Sequence, residues 1–296
     1  MGMKRALALI FVLVFALAIC AGCGKKTVSG DEYVYIHTKP TAEAELRTPV
    51  PATEEPTPAP TEEPTPVPTA APTEPEQKGG SDGRRVYLTF DDGPNANTGR
   101  TLDILNSYGV KATFFTVGMC VERNPEYTKR IVNEGHLLAC HTYSHDLNSI
   151  YKSTDAFLAD IAKWRRVVIN AVGWDAGTYY LRFPGGTTNT TIGGRNGRAP
   201  FVNAARAAGY HIYDWTMGTN DKWLAGNKDH LPVAEYLWNS YLDTYDMFVN
   251  TGKPLIILIH DDVSENLDIL PRMIEDLMSK GCTFGTVDEL GSDFLM

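Results

Sequence analysis

Cysteine is scarce in this chain, with five among 296 residues. The three beyond residue 83, Cys120, Cys140 and Cys282, are an odd set that cannot all pair with one another. None of the three stands at zinc-finger spacing, so a structural zinc module is excluded. They read as small core residues, with a Cys120–Cys140 disulfide as the alternative. Positive charge is short as well: 27 Lys and Arg face 36 Asp and Glu, a formal net charge of −9. Phosphate recognition needs concentrated positive charge, so no nucleic-acid partner is expected. Aromatic side chains are absent between residues 47 and 77. A stretch so poor in apolar surface cannot offset the entropy of ordering itself.

What fills residues 47–77 is Pro, Thr, Glu and Ala, with a near-repeat of Thr53-Glu54-Glu55-Pro56-Thr57-Pro58 at Thr61-Glu62-Glu63-Pro64-Thr65-Pro66. Frequent proline stiffens such a chain toward extended polyproline II. Residues 24–83 are therefore expected to be a disordered spacer, and at ~3 Å per residue its reach is on the order of 100 Å or more. Ahead of it, Lys4 and Arg5 precede an apolar run at 6–21, as in an export signal. The signal, residues 1–23, ends in Cys20-Ala21-Gly22-Cys23, which resembles a bacterial lipobox with Cys20 where leucine is usual. Lipidation of Cys23 is the favoured reading; an uncleaved anchor helix and plain secretion are the alternatives. All three place the domain outside the cytoplasm, and the first two anchor it to the membrane.

From residue 84 to 296, β-branched and aromatic runs alternate with helical periods, the pattern of parallel strands joined by crossover helices. Strands are expected at 86–90, 112–117, 137–141, 179–182, 211–215, 255–260 and 283–286, and helices at 98–107, 125–134, 154–172, 200–208, 233–249 and 267–280. About seven βα units follow, and pattern alone does not separate a distorted barrel from an open doubly wound sheet. In either, the carboxyl ends of the strands share one face. Asp91, Asp92, His141, Arg182, Asp214, His260 and Asp261 all fall at those ends.

Thr89-Phe90-Asp91-Asp92-Gly93-Pro94 closes the first strand with two acids whose side chains diverge. One carboxylate is then available to a metal and the other to a substrate water, although an Asp capping the Gly-Pro turn is the plainer reading of that motif alone. His141-Thr142-Tyr143-Ser144-His145 is an i, i+4 pair; on a helical turn both imidazoles share a face and can meet one zinc-like ion at ~2.1 Å. Leu181-Arg182-Phe183-Pro184-Gly185-Gly186 sets an arginine, suited to a bidentate carboxylate pair, before a turn that exposes backbone amides. Asp214-Trp215-Thr216 runs on to Asp221-Lys222-Trp223, and the strand at 255–260 ends in His260-Asp261-Asp262. A histidine there is a natural general acid, with an acidic neighbour to fix its tautomer.

Acid pair, histidine pair, Arg-x-Pro, Asp-Trp and Leu-x-His-Asp, in that order over residues 85–289, resemble the polysaccharide deacetylases, the NodB-homology carbohydrate esterases of family 4. The resemblance implies an α/β fold, an incomplete (β/α) barrel of about seven parallel strands, forming one catalytic domain at 84–296. It implies hydrolysis of N-acetyl groups on a sugar polymer, with one divalent ion held by Asp92, His141 and His145. Zn2+ is expected, while Co2+ or Ni2+ would suit the same ligands. Asp91 would be the general base, oriented by Arg182, and His260 the acid, supported by Asp221. The Gly185 amide would join the metal in holding the oxyanion, and Trp223 would line the groove; packing is the default for Trp174 and Trp238.

Three departures from the common family pattern stand out. Asp146 occupies a frequent proline position, Gly185 replaces an aromatic wall of the groove, and Lys222 takes the place of tryptophan. The implied substrate is a polymer containing N-acetylglucosamine, peptidoglycan first, with chitin oligomers, exopolysaccharide or acetylated xylan as alternatives, acted on by a monomer. A catalytically silent wall-binding lipoprotein is the rival from another class, and a barrel hydrolase of small amides the rival enzyme.

Overall fold

The computed structural model describes residues 83–296 apart from 177, 178 and 228. The expected signal, Cys23 and the spacer lie outside the described residues. The described residues form eight strands: β1 Arg85–Asp91, β2 Thr113–Thr116, β3 Leu137–Cys140, β4 Tyr180–Leu181, β5 His211–Ile212, β6 Met217–Gly218, β7 Leu255–His260 and β8 Thr283–Phe284. Every pairing among them is parallel, in the order β5-β4-β3-β2-β1-β7-β6, with β8 against the start of β1. The strand expected at 211–215 ends at Ile212, and the extra strand, Met217–Gly218, lies beyond it where none was expected. His211 and Ile212 pair with β4, and beyond a short link Met217 and Gly218 pair with β7.

That link settles the architecture. β5 and β6 are the two ends of the hydrogen-bonded order, yet only residues 213–216 join them. Laid flat, the seven strands would hold these edges about 29 Å apart at ~4.8 Å per neighbour, whereas a link of that length spans at most about 18 Å. The sheet must curl, and the result is the incomplete (β/α) barrel. Its gap lies beside β5, where Phe294 bridges to Tyr213 and its amide donates to the Ile212 carbonyl at 2.9 Å.

The two-residue period of the strands sorts the core into layers. Val86, Leu88 and Phe90 of β1, Phe114 of β2, Leu138 of β3, and Leu255, Ile257 and Ile259 of β7 face outward into the larger core, against the helices. Tyr87, Phe115, Ala139 and Ile256 face inward with Tyr213 and Val287 and fill the barrel. The same alternation carries Thr89 and Asp91 to the inner side, one and two steps above Tyr87, so the barrel is apolar below and polar at its mouth.

The helix Thr154–Val172 shows why the outer layer forms. Ser153 caps it by accepting from the Ala156 amide at 3.1 Å, Gly173 ends it in a left-handed conformation, and Phe157, Ile161, Trp164 and Val168 make one buried stripe. Each such side chain contributes about 1.5–3 kcal/mol on burial. Asn266–Ser279 covers the other side with Leu270, Met273, Ile274 and Leu277. The short helices Gly118–Arg123, Leu147–Ile150 and Gly194–Gly197 are not foreseen from sequence, since one turn carries no detectable period. Cys120, Cys140 and Cys282 are all free thiols, so the Cys120–Cys140 disulfide does not form. No helix among the described residues is long and apolar enough to cross a membrane.

Candidate active site

Asp91 and Asp92 end β1 but do different things because the backbone turns between them. Asp91 keeps the strand's inward direction and is buried, and its Oδ1 accepts from Arg182 Nη1 at 2.8 Å. Arg182 is itself fully buried. Its Nη1 also donates to Thr89 Oγ1 at 2.8 Å, its Nε to the Tyr213 carbonyl at 2.9 Å and its Nη2 to the Asp214 carbonyl at 3.2 Å, while the guanidinium stacks 4.1 Å over Phe115. Burial pushes the guanidinium's pKa down, opposed by the charge of Asp91. A planar cation fixed on so many sides leaves its carboxylate partner a single orientation.

Asp92 adopts φ 72°, a left-handed conformation uncommon outside glycine. The turn swings its carboxylate toward the histidines, with Oδ1 3.4 Å from His145 Nε2 and 3.6 Å from His141 Nε2. Burial pushes the Asp92 carboxyl up, but His141, His145, His260 and Lys222 together outweigh it and hold it below the usual carboxylate range. Gly93 follows because a Cβ there would lie 2.3 Å from Asp261 Oδ2. Asp261 accepts from Thr98 Oγ1 and Thr101 Oγ1 and donates its amide to the Asp91 carbonyl at 2.8 Å. Burial raises its carboxyl to about 6. It ties β7 to the helix Ala96–Ser107 and faces away from His260. The acidic neighbour in sequence is thus not the group that fixes the histidine's tautomer.

That group is Asp221. His260 Nδ1 lies 2.6 Å from Asp221 Oδ1, and the His260 amide donates to Oδ2 at 2.7 Å. Asn266 Nδ2 donates to the same Oδ2 at 2.6 Å and to the His260 carbonyl at 3.1 Å. Burial works against charge on the imidazole, but the hydrogen bond and charge of Asp221, with Asp91 and Asp92 beyond, raise the His260 pKa above its ordinary value. Asp221 is lowered in turn: burial opposes its ionisation and His260 and Asn266 overcome it. Each partner thus favours the charged form of the other.

The histidine pair shares a face, but not on a helical turn. Residues 141–145 form an irregular loop with Thr142 at φ 65° and His145 at φ 55°. Asp160 of the long helix stabilises it by accepting from the Tyr143 and Ser144 amides at 2.5 and 3.0 Å, and Thr142 Oγ1 accepts from the His145 amide at 3.2 Å. These bonds fix both rings, with centroids 5.0 Å apart. His141 Nδ1 lies 2.9 Å from the Arg182 carbonyl, which only accepts, so Nδ1 carries the proton and Nε2 presents a bare lone pair. Burial lowers the His141 pKa, which favours that neutral form.

Asp92, His141 and His145 each offer one ligand atom, and the three atoms lie within 4.8 Å of one another. Asp92 Oδ1 is buried without a hydrogen-bond partner. An orphaned carboxylate oxygen facing two imidazole nitrogens fits a divalent cation, with open positions left for water or substrate.

A polysaccharide deacetylase family model matches residues 78–212. Bacillus subtilis YheN, a protein assigned to the polysaccharide deacetylases, is 30% identical over 207 residues, covering 70% of this chain and 68% of its own. A peptidoglycan-N-acetylglucosamine deacetylase of Bacillus cereus is 27% identical, covering 73% of each chain. The catalytic domain of a peptidoglycan N-acetylglucosamine deacetylase from Eubacterium rectale superposes with a TM-score of 0.60 at 28% identity, over 71% of this chain and 91% of that one. The chain belongs to the polysaccharide deacetylase family.

In this deacetylase the three departures have local explanations or consequences. Asp146 caps the helix Leu147–Ile150, accepting from the Asn148 amide at 3.1 Å. Gly185 is exposed at φ 74°, and a Cβ there would come 3.2 Å from Asn189 Cβ, so an aromatic is disfavoured. Lys222 reaches the mouth, its Nζ donating to both oxygens of Asp262 at 2.6 and 2.5 Å and lying 3.4 Å from Asp92 Oδ2. Burial works against its charge, but Asp262 and Asp92 raise its pKa. Trp223 is 49% exposed and lines, with Trp215, Lys222 and His260, a cavity of about 270 Å³. Trp238 is buried, whereas Trp174 is 53% exposed, contrary to the packing expected of it.

Asp214 plays a supporting part. It accepts from the Thr187 amide at 2.9 Å and the Met296 amide at 2.9 Å, which holds the turn after Arg182. Sequence reasoning missed Asn266 and Asp160. Asp160 had one signal, an acid next to the apolar stripe of its helix; Asn266 had none.

Proposed function

We propose that this deacetylase removes the acetyl group from N-acetylglucosamine units of peptidoglycan. It would act as a zinc-loaded monomer exported and tethered through Cys23. The observation that carries the reading is that Asp91 and His260 are direct register partners on adjacent strands at the mouth of the barrel, beside the triad Asp92, His141 and His145. Base and acid therefore stand next to each other, with Asp91 Oδ2 3.6 Å from the ligand candidate His141 Nε2. The relatives whose names specify peptidoglycan support that polymer. The apolar run at 6–21, Cys23 and the Pro-rich spacer support a tether reaching into a wall.

Asp92, His141 and His145 would hold a divalent ion, which would supply Lewis-acid polarisation of the acetyl carbonyl and a lowered pKa for water. Asp91, with one oxygen held by Arg182, accepts a proton from the attacking water through the other. The water oxygen forms the new C–O bond, and the Gly185 amide offers a donor to the oxyanion that develops. His260 then gives its proton to the nitrogen as the C–N bond breaks, releasing the free amine and acetate. His260 keeps its Nδ1 proton throughout, donating it to Asp221, which holds the ring in place. Acetate release from peptidoglycan, chitin oligomers, exopolysaccharide and acetylated xylan tests the reading. Turnover should be fastest on peptidoglycan, and a faster rate on any of the others would reassign the substrate.

A further inference from the structure

We propose that Lys222 sets the affinity of the metal site, as a positive charge held against the outer oxygen of the ligand Asp92. The proposal rests on the assignment of Asp92, His141 and His145 as metal ligands. The two oxygens of Asp92 face different partners. Oδ1 points to His145 and His141 at 3.4 and 3.6 Å, and Oδ2 points to Lys222 Nζ at 3.4 Å. The carboxylate that must neutralise a divalent ion is thus already shared with an ammonium.

Lys222 is not a loose surface side chain that happens to pass by. Asn220 turns the backbone at φ 56°, and Asp221 Oδ1 accepts from the Lys222 amide at 2.8 Å, so the carboxylate that supports His260 also fixes where Lys222 starts. Asp262 then grips the ammonium through both oxygens. Asp262 and Lys222 are both part-exposed, at 46% and 44% of their side-chain surface, so neither is needed to fill the core. The family's tryptophan at this position would bring no charge.

Two like charges sharing one carboxylate repel, and solvent only partly screens them at this depth. Lys222 therefore weakens binding of the ion, and Asp262 moderates the effect by neutralising part of the ammonium. Removing the lysine and removing its counter-ion should move metal affinity in opposite directions, which a merely structural role would not do.

The test uses the full chain, stripped of metal and titrated at one fixed pH. Co2+ binding is read from its visible absorption and Zn2+ binding from competition with a fluorescent chelator. Lys222→Met should bind both ions about tenfold more tightly. Lys222→Arg should match the wild type, and Asp262→Asn should bind severalfold more weakly, by roughly half that free energy. Equal or weaker affinity in Lys222→Met overturns the proposal. A wild type that binds no Co2+, or an Asp92→Ala variant that binds it as well as the wild type, overturns the metal-ligand assignment and the proposal with it.

Discussion

Two adjacent acids behave as two different instruments because a single φ of 72° at Asp92 parts them. Asp91 is held by Arg182, and Asp92 is turned toward His141 and His145. Asp91→Asn should lower kcat by about 10²- to 10⁴-fold while leaving one equivalent of bound metal. Acetate release and metal analysis on the same sample check both halves. His260 has its pKa raised, by Asp221 above all among the groups that favour its charge, so it keeps its proton above the ordinary imidazole range and activity fails as pH rises through the raised value. In Asp221→Asn that support is lost, and the alkaline limb of the kcat/KM profile should move to lower pH; an unmoved limb would remove Asp221 from the role. At this scale the sequence was informative wherever chemistry is local. It misled at Asp261, because successive strand residues point to opposite faces and the neighbour of His260 necessarily looks away.

The element that shapes the site most is the loop 141–145, whose conformation is set by the long helix Thr154–Val172. Asp160 accepts two loop amides that nothing else within the loop satisfies. Asp160→Ala should cost on the order of 1 kcal/mol for the part-buried donors left unmet and loosen metal binding at least severalfold, read by thermal melting and by titration with Co2+. A variant that melted lower but held its metal unchanged would confine Asp160 to stability. The i, i+4 spacing of His141 and His145 pointed to one shared candidate site, which the structure assembles by a different geometry. Left-handed residues at Thr142 and His145, not helical geometry, bring the rings together. A turn of this kind has no period, and its partner lies outside it in sequence, so pattern reading cannot find it.

For the molecule as a whole, the proposal is that the catalytic domain is exported and held at the membrane by lipid on Cys23. Cys23→Ala should shift the protein from the membrane fraction to the soluble extracytoplasmic fraction without changing turnover on solubilised polymer. Unchanged membrane retention would favour the uncleaved anchor helix. The sequence by itself determined the βα alternation, the strand ends that carry function, and the identity of the acids, histidines and arginine, because hydrophobic period and residue chemistry are local properties. The tertiary structure alone decided that the sheet curls into a barrel, since closure depends on the pairing order of β5 to β6 around a four-residue link. It likewise decided that Asn266 joins Asp221 in holding His260 while Asp261 does not, and that Lys222 lies 3.4 Å from Asp92 Oδ2. Those contacts join residues far apart in the chain, and no local pattern encodes the distance between them.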